Sequence, residues 1–381
     1  MDKTADVAVV GLGAMGSAAL WRLASRGASV IGFEQFEPGH AFGSSHGATR
    51  IFRAAYFEDP RYVPLILAAL EWWRRLELES ARELLTQIGG LMIGPPDGAL
   101  ISGSLRSVHE HRLPHQVLSR GAMATQYPQH KLGGGDVAIH DDLAGVLMAE
   151  KSIAASIALS RDRGAAVHSG TKVLQIEPDS SHVDISVGSE TFRVRHAVVC
   201  AGPWLPDLVS TPGLAFEIER QVITWFKAAS PGMFAPSRFP VFVREVDDGR
   251  IGFGIPDMGD GLIKVGIHHG DGEIVRPDSM DRSVHPADYV TTESFVASNI
   301  DGVLPSIAKA MVCLYTNTPD EHFVVGELPG APNVTIVSPC SGHGFKFAPL
   351  IGEIAADLAL RGGTDYSIEM FAPDRFAHSP R

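Results

Sequence analysis

Val7-Ala8-Val9-Val10 is a short apolar run that follows a polar start and stops at a glycine, the pattern of a buried parallel strand. Gly11, Gly13 and Gly16 come next, then a helical stretch to about Arg26, a Gly27-Ala28-Ser29 turn and a second apolar strand, Val30-Ile31-Gly32-Phe33, ending at Glu34. Farther on, Val63, Ile66, Leu67, Leu70, Trp73 and Leu76 recur three and four apart, which predicts an amphipathic helix over 61–85, with Trp72 and Trp73 as packing residues. Residues 89–96 predict a short strand ended by Pro95 and Pro96. Residues 97–145 are rich in Gly, His and Pro and lack a clear period. His109 and His111 have no third ligand at a convincing spacing, so they read as solvated and no metal is expected. A helix is expected over 151–163, a strand over 165–168, a strand pair at 173–176 and 183–187, and a buried strand at 197–200 that runs into Gly202. From about 216 to 306, runs at 222–226, 250–256 and 262–269 predict an antiparallel sheet.

Composition adds limits. At roughly 150 residues per domain, 381 residues make two or three domains. Hydrophobic residues at 45% and charged ones at 20% are those of a globular protein whose core needs no staples. The 40 glycines exceed the usual share and fit many tight turns and backbone-to-ligand contacts. A net charge of −12 argues against a nucleic-acid surface, while leaving room for a cationic pocket inside an acidic shell. The three cysteines, Cys200, Cys313 and Cys340, argue against a disulfide framework and for a reducing cytoplasm. No apolar run is long enough for a membrane helix, residues 1–6 do not read as a signal peptide, and 377–381 are not a peroxisomal signal.

Strand, G-x-G-x-x-G, helix, strand and acid, in that order, form a dinucleotide-binding fingerprint. Gly11 permits the tight turn, Gly13 lets the backbone approach a pyrophosphate, and Gly16 lets helix and strand pack closely. The helix start offers free N–H groups and a positive dipole end to phosphates. Glu34 is placed to accept from ribose hydroxyls and would repel a 2′-phosphate, so NADP is disfavoured; FAD and NAD both stay open on this motif. Arg50 and Arg53 stand three apart among the small residues of 43–53. On a helix they would share a face, and arginine suits carboxylate or phosphate binding; the alternative is a solvated loop. Lys264 and His268 share a face of the 262–269 strand, where a lysine is as readily a solvated edge as a site residue. Cys200 reads as a small core residue.

The Gly11 to Gly16 motif, Glu34 and Ser44-Ser45-His46-Gly47-Ala48-Thr49-Arg50-Ile51-Phe52-Arg53 resemble the monomeric sarcosine oxidase family, which also contains N-methyltryptophan oxidase and, more distantly, pipecolate oxidases. The likeness continues through Met311-Val312-Cys313-Leu314-Tyr315 to Phe323 and through Ser341 to Phe347, and covers essentially the whole chain, more weakly in the middle. It implies an α/β (α+β two-domain) fold. A Rossmann-type FAD-binding domain would take 1–89, 146–215 and 311–381, interleaved with a mainly antiparallel substrate domain of 90–145 and 216–310. It implies an FAD-dependent oxidase of secondary amines, chiefly N-methyl amino acids, that uses oxygen and yields an imine (then amine plus aldehyde) and hydrogen peroxide. An oxidase of cyclic amino acids of the pipecolate type is the alternative, and an NAD-dependent dehydrogenase a more remote one.

Carried over residue by residue, Ser44, His46, Thr49, Arg50, Val173, Ala201, Gly202, Gly342, Gly344 and Phe345 fall at cofactor positions. Lys264 would lie against the flavin ring, where a cation favours oxygen reduction. His268 and Tyr315 would line the substrate pocket, and Arg53 and Lys346 would clamp the substrate carboxylate; Arg50, near the flavin, would count as catalytic too, and Lys346 also as a cofactor position. The resemblance makes Cys313 the thioether attachment to the flavin 8α-methyl group; spacing alone does not choose it over Cys340. Sarcosine-oxidising relatives carry a tyrosine where this chain has Phe253, which leaves room for a larger or more apolar N-substituted amino acid. The family precedent is a monomer acting on a small amine, with no nucleic-acid or membrane partner.

Overall fold

The computed structural model describes residues 3–377 apart from 212 and 271. Residues 1–2 and 378–381, which belong to the segments read for targeting signals, lie outside the described residues.

The first apolar run forms the strand Thr4–Val10, in parallel register with Val30–Phe33 on one side and Glu190–Val199 on the other. Ala166–His168 continues this sheet past Val30–Phe33, and Ala331–Ser338 joins in parallel beside the end of Glu190–Val199. Val324–Leu328 pairs antiparallel with Ala331–Ser338, and the hairpin of Val173–Pro178 and Val183–Val187 lies along the first half of Glu190–Val199. Both faces of the sheet are covered. Val7 and Val9 pack in one core with Leu20 of the helix Ala14–Ser25 and Ile351 of the helix Ala348–Arg361. Ala8 and Val10 pack on the opposite side with Val173, Ile185 and Leu205. Burial on both faces is why these strands read as continuous apolar runs.

A second sheet runs in the order Val303–Asn317, Glu217–Ala228, Leu262–His268, Ile251–Ile255, Val241–Glu245, Gly90–Gly94, Val137–Asp141, His115–Leu118. Neighbours are antiparallel except Val241–Glu245 with Gly90–Gly94. The expected domain limits at 89/90 and 215/216 fall just before strands of this sheet. The limit at 310/311 falls inside Val303–Asn317, which is bonded to Glu217–Ala228 along its length, and 145/146 falls inside Gly145–Met148.

Three local expectations change. Residues 97–145 hold the helix Ala99–Glu110, whose buried face includes Gly103, Ser104 and Ser107; small residues in place of large apolar ones erase the period. The helix expected over 61–85 is Tyr62–Ser80, stopped by Ala81 in the left-handed region at φ 51, and Leu85–Gln87 is already a strand. The arginine-bearing stretch is the strand Thr49–Phe52, not a helix, in a small sheet with Gly145–Met148 and Leu85–Gln87. No helix among the described residues is long and apolar enough to cross a membrane.

Candidate active site

A single cleft is lined by residues of both large sheets, from Glu34 at one end to Lys264, Arg53 and Lys346 at the other. The turn after Thr4–Val10 opens it. Gly11 has φ +86, and a Cβ there would lie 2.6 Å from the Cys200 carbonyl, so only glycine fits. Over Gly13 the nearest atom a Cβ would meet is Ser45 Oγ at 3.5 Å, an ordinary van der Waals contact. The N-cap of the helix Ala14–Ser25 is Gly13, which has no side chain to cap it, and the Ala14 N–H donates to Ser45 Oγ at 3.3 Å; the start of a helix is its positive end. Glu34 is buried; its Oε2 accepts from the Leu12 N–H at 2.8 Å and its Oε1 from the Phe36 N–H at 3.1 Å. An ionised carboxylate has further lone pairs for hydroxyl groups. Val173, Ala201 and Gly202 line the same end.

Lys264 is not a solvated edge. Its strand has partners on both sides and the residue is 3% exposed. Nζ donates to the Gly47 carbonyl at 3.0 Å and the Thr49 carbonyl at 2.9 Å, which leaves a third donor for the cleft. Burial pushes this amine well below its ordinary pKa and Arg50 adds to the effect, while Cys313 and Glu150 oppose it. Two residues along, a Cβ on Gly266 would come within 2.6 Å of the Phe253 ring. That ring therefore covers the strand between Lys264 and His268. His268 Nδ1 lies 3.3 Å from the Tyr315 hydroxyl; burial pulls the imidazole well down and the phenol up, so this pair is neutral near pH 7. Gly342, at φ +77, gives both rings room.

Cys313 stands two residues before Tyr315 on the strand Val303–Asn317 and is buried, its Sγ 3.9 Å from the Ser44 carbonyl. That carbonyl also accepts from Arg50 Nη2 at 2.7 Å, and Arg50 Nη1 donates to the Thr49 carbonyl at 2.8 Å. Phe345 lies 5.6 Å from the guanidinium. All three cysteines line the cleft. Burial pushes the Cys340 thiol up to about 11 and that of Cys200 higher still.

Arg53 and Lys346 gather around one ring. The Arg53 guanidinium lies 4.4 Å and the Lys346 amine 5.2 Å from the centre of Tyr56. Lys346 Nζ donates to the His343 carbonyl at 2.5 Å, and Trp73 Nε1 donates to the Lys346 carbonyl at 2.7 Å. Trp73 thus packs, as expected, and also anchors a site residue. The Tyr56 hydroxyl pairs with His343 Nδ1, and His343 Nε2 donates to the Glu321 carbonyl at 3.0 Å. Two acids here escape sequence reasoning. Glu58 pairs with Arg53; burial pushes its carboxyl up, but Arg53, His343 and Lys346 bring it down to about 2. Asp141 accepts from the Ala54 and Ala55 N–H groups at 2.6 and 2.8 Å, fixing the chain just after Arg53. For Glu58 the available signal was the acidic pair Glu58-Asp59 closing the run Ala54-Ala55-Tyr56-Phe57. Asp141 offered none, because it lies far away in sequence.

Of the residues expected at the site, Gly16 and His46 do not form its wall. A Cβ on Gly16 would collide with the Gly11 carbonyl, so its part is packing. His46 is 1% exposed, its ring nitrogens have no hydrogen-bond partner among the described residues, and burial pulls it to about 4.

Residues 6–358 match a family model described as FAD dependent oxidoreductase. The chain belongs to the FAD-dependent oxidoreductase family. This oxidoreductase is 39% identical to the monomeric sarcosine oxidase of Streptomyces avermitilis over the full length of both chains. It is 32% identical to the N-methyl-L-tryptophan oxidase of Salmonella dublin over 98% of this chain and 99% of that one. Among solved structures, the open form of NikD, an unusual amino acid oxidase essential for nikkomycin biosynthesis, superposes with a TM-score of 0.86 at 24% identity, covering 98% of each chain. Glycine oxidase from Geobacillus kaustophilus does so at 0.81 and 19% identity, over 98% of this chain and 99% of the other. These two likenesses carry the fold. The family decides for FAD over NAD. The Gly11–Gly13 turn at the start of the helix, the Glu34 carboxylate and the cleft that runs on to Lys264 fit that cofactor.

Proposed function

We propose that this oxidoreductase oxidises the CH–NH bond of secondary-amine amino acids, N-methyl amino acids foremost, with oxygen as acceptor. The products are an imine, which water splits into amine and aldehyde, and hydrogen peroxide. The observation that carries this reading is the pair of buried basic side chains, Arg53 and Lys346, around Tyr56 beside the cleft that also holds the nucleotide fingerprint; burial and Arg53 pull the Lys346 amine well below its ordinary pKa, and Glu58 opposes them. FAD, when bound, supplies the two-electron acceptor. The names of the curated relatives support the substrate class.

The residues divide the work. Arg53 and Lys346 hold the substrate carboxylate, each charge-assisted bond contributing about 1.5–3 kcal/mol. The substrate nitrogen must be neutral to give up electrons, and burial in the cleft disfavours its ammonium form. The neutral His268–Tyr315 pair offers hydrogen-bond partners without adding charge. Lys264 faces the cofactor and stabilises negative charge on oxygen as it is reduced. Cys313 tethers the flavin. Phe253 closes one wall with an apolar ring, which favours a substrate with an apolar N-substituent or side chain, and by the same token admits a cyclic amino acid. With this reading goes a monomer in a reducing cytoplasm.

A peroxide-coupled screen of N-methyl and cyclic amino acids, both enantiomers, tests the activity. Peroxide is expected from at least one of them; equal rates with N-methylalkylamines that lack a carboxylate would reject the clamp. In the Arg53→Ala protein, KM for the amino-acid substrate rises roughly tenfold to a hundredfold, the loss of one such bond, while simple amines are unaffected. A uniform loss on both substrate types would remove Arg53 from the clamp.

A further inference from the structure

The turn that holds Lys264 is itself held from behind. Gly47 and Ala48 have φ of +93 and +67, the second a conformation that residues with a β-carbon seldom adopt. Their N–H groups converge on one oxygen, Glu150 Oε1, at 2.8 and 3.1 Å. The Ala48 carbonyl accepts from the Ala149 N–H at 2.8 Å, which pins the turn to the start of the helix Ala149–Asp162. The Thr49 N–H closes back on the Gly47 carbonyl at 2.8 Å. On the other side, the carbonyls of Gly47 and Thr49 accept from Lys264 Nζ at 3.0 and 2.9 Å. Three residues therefore stand between a carboxylate and an amine, presenting donors to one and acceptors to the other. A Cβ on Gly47 would lie 2.6 Å from Ile223 Cδ1, so a side chain at this position would need Ile223 to move.

We infer that Glu150 is a positioning residue: it holds the Gly47–Thr49 turn in the one conformation whose two carbonyls fix Lys264, leaving the third N–H of its side chain for the cleft. This rests on the reading above, in which Lys264 serves the oxygen half of the reaction. An unfavourable backbone conformation persists only where its surroundings over-determine it, and here the Glu150 carboxylate does so. Linked hydrogen bonds also polarise one another, so the carboxylate strengthens the carbonyls beyond it as acceptors. Glu150 further opposes the burial that pushes Lys264 toward its neutral form. Nothing in the sequence singled this acid out, because Glu150 and Gly47 are 103 positions apart.

The test separates the half-reactions of the holoenzyme. Glu150→Ala is expected to slow reoxidation by oxygen on the order of tenfold to a hundredfold, the cost of a misplaced group, and to change reduction by substrate far less. Glu150→Gln keeps the accepting oxygen and restores most of the rate. In a Lys264→Met background Glu150→Ala adds no further loss of reoxidation. A readout independent of turnover is acetic anhydride labelling mapped by mass spectrometry: Lys264 is protected in the wild type and Glu150→Gln, and acetylated in Glu150→Ala. Should the alanine variant not accumulate, Glu150→Asp, whose carboxylate falls short of the turn, shows the same split at smaller size. Wild-type reoxidation and labelling in Glu150→Ala, or losses that add to those of Lys264→Met, overturn the inference. If instead Lys264→Met slows both half-reactions equally, the oxygen-side reading of Lys264 fails, and the labelling alone still decides whether Glu150 positions it.

Discussion

Acid precipitation is expected to carry the flavin of the wild-type protein into the pellet and, in the Cys313→Ser protein, to leave it in the supernatant. A thioether survives unfolding, whereas a cofactor held by packing and hydrogen bonds does not, so the effect is close to all-or-none. Three cysteines line the cleft, and their surroundings separate them. Attachment needs a thiolate. Burial pushes the Cys340 thiol up to about 11 and that of Cys200 higher, which disfavours the thiolate at both. Cys313 lies beside the Ser44 carbonyl that also receives Arg50, and on the strand that carries Tyr315. Cys200 is tucked behind Gly11, at the nucleotide end. Cys340→Ser therefore keeps its flavin through precipitation. Release from that variant, with retention in Cys313→Ser, would move the attachment to Cys340.

Replacing Lys264 with methionine is expected to slow reoxidation by oxygen about a hundredfold to a thousandfold, the usual effect of removing one preorganised electrostatic partner. Reduction by substrate is slowed much less, because the Arg53–Lys346 clamp and the His268–Tyr315 pair stay in place. Methionine matches the length of lysine and lacks its charge. The size follows from burial: Lys264 is 3% exposed, so little water screens charge that develops near it. Stopped-flow measurement of the two half-reactions separates the effects, and equal slowing of both would reject the assignment.

The nucleotide half of the fold was legible because its determinants are local. A buried parallel strand, three spaced glycines and an acid lie within 34 residues, and each leaves a mark that period and turn chemistry can read. The second sheet was legible in class but not in register, since its one parallel contact, Val241–Glu245 with Gly90–Gly94, joins distant segments. The helix Ala99–Glu110 was hidden by serine and glycine on its buried face. At the site, Lys264 was ambiguous because a strand pattern cannot tell a central strand from an edge, and only pairing on both sides decides. Arg53 and Lys346 were reached through resemblance rather than spacing. Glu58, Asp141 and Glu150 act across folded distance, as a salt bridge, an anchor for Ala54 and Ala55, and a support for the Gly47–Thr49 turn. Their roles depend on neighbours that a linear reading does not supply.

The pairing of Glu190–Val199 with both Thr4–Val10 and Ala331–Ser338 has a consequence for how the protein is made. During synthesis the glycine turn leaves the ribosome first, yet the sheet that supports it gains its neighbours only when residues 190–199 and then 331–338 follow. Contacts of such long sequence separation form slowly and leave apolar strands uncovered meanwhile. The glycine turn is therefore expected to gain its full support for a flavin only once the last parallel strand docks.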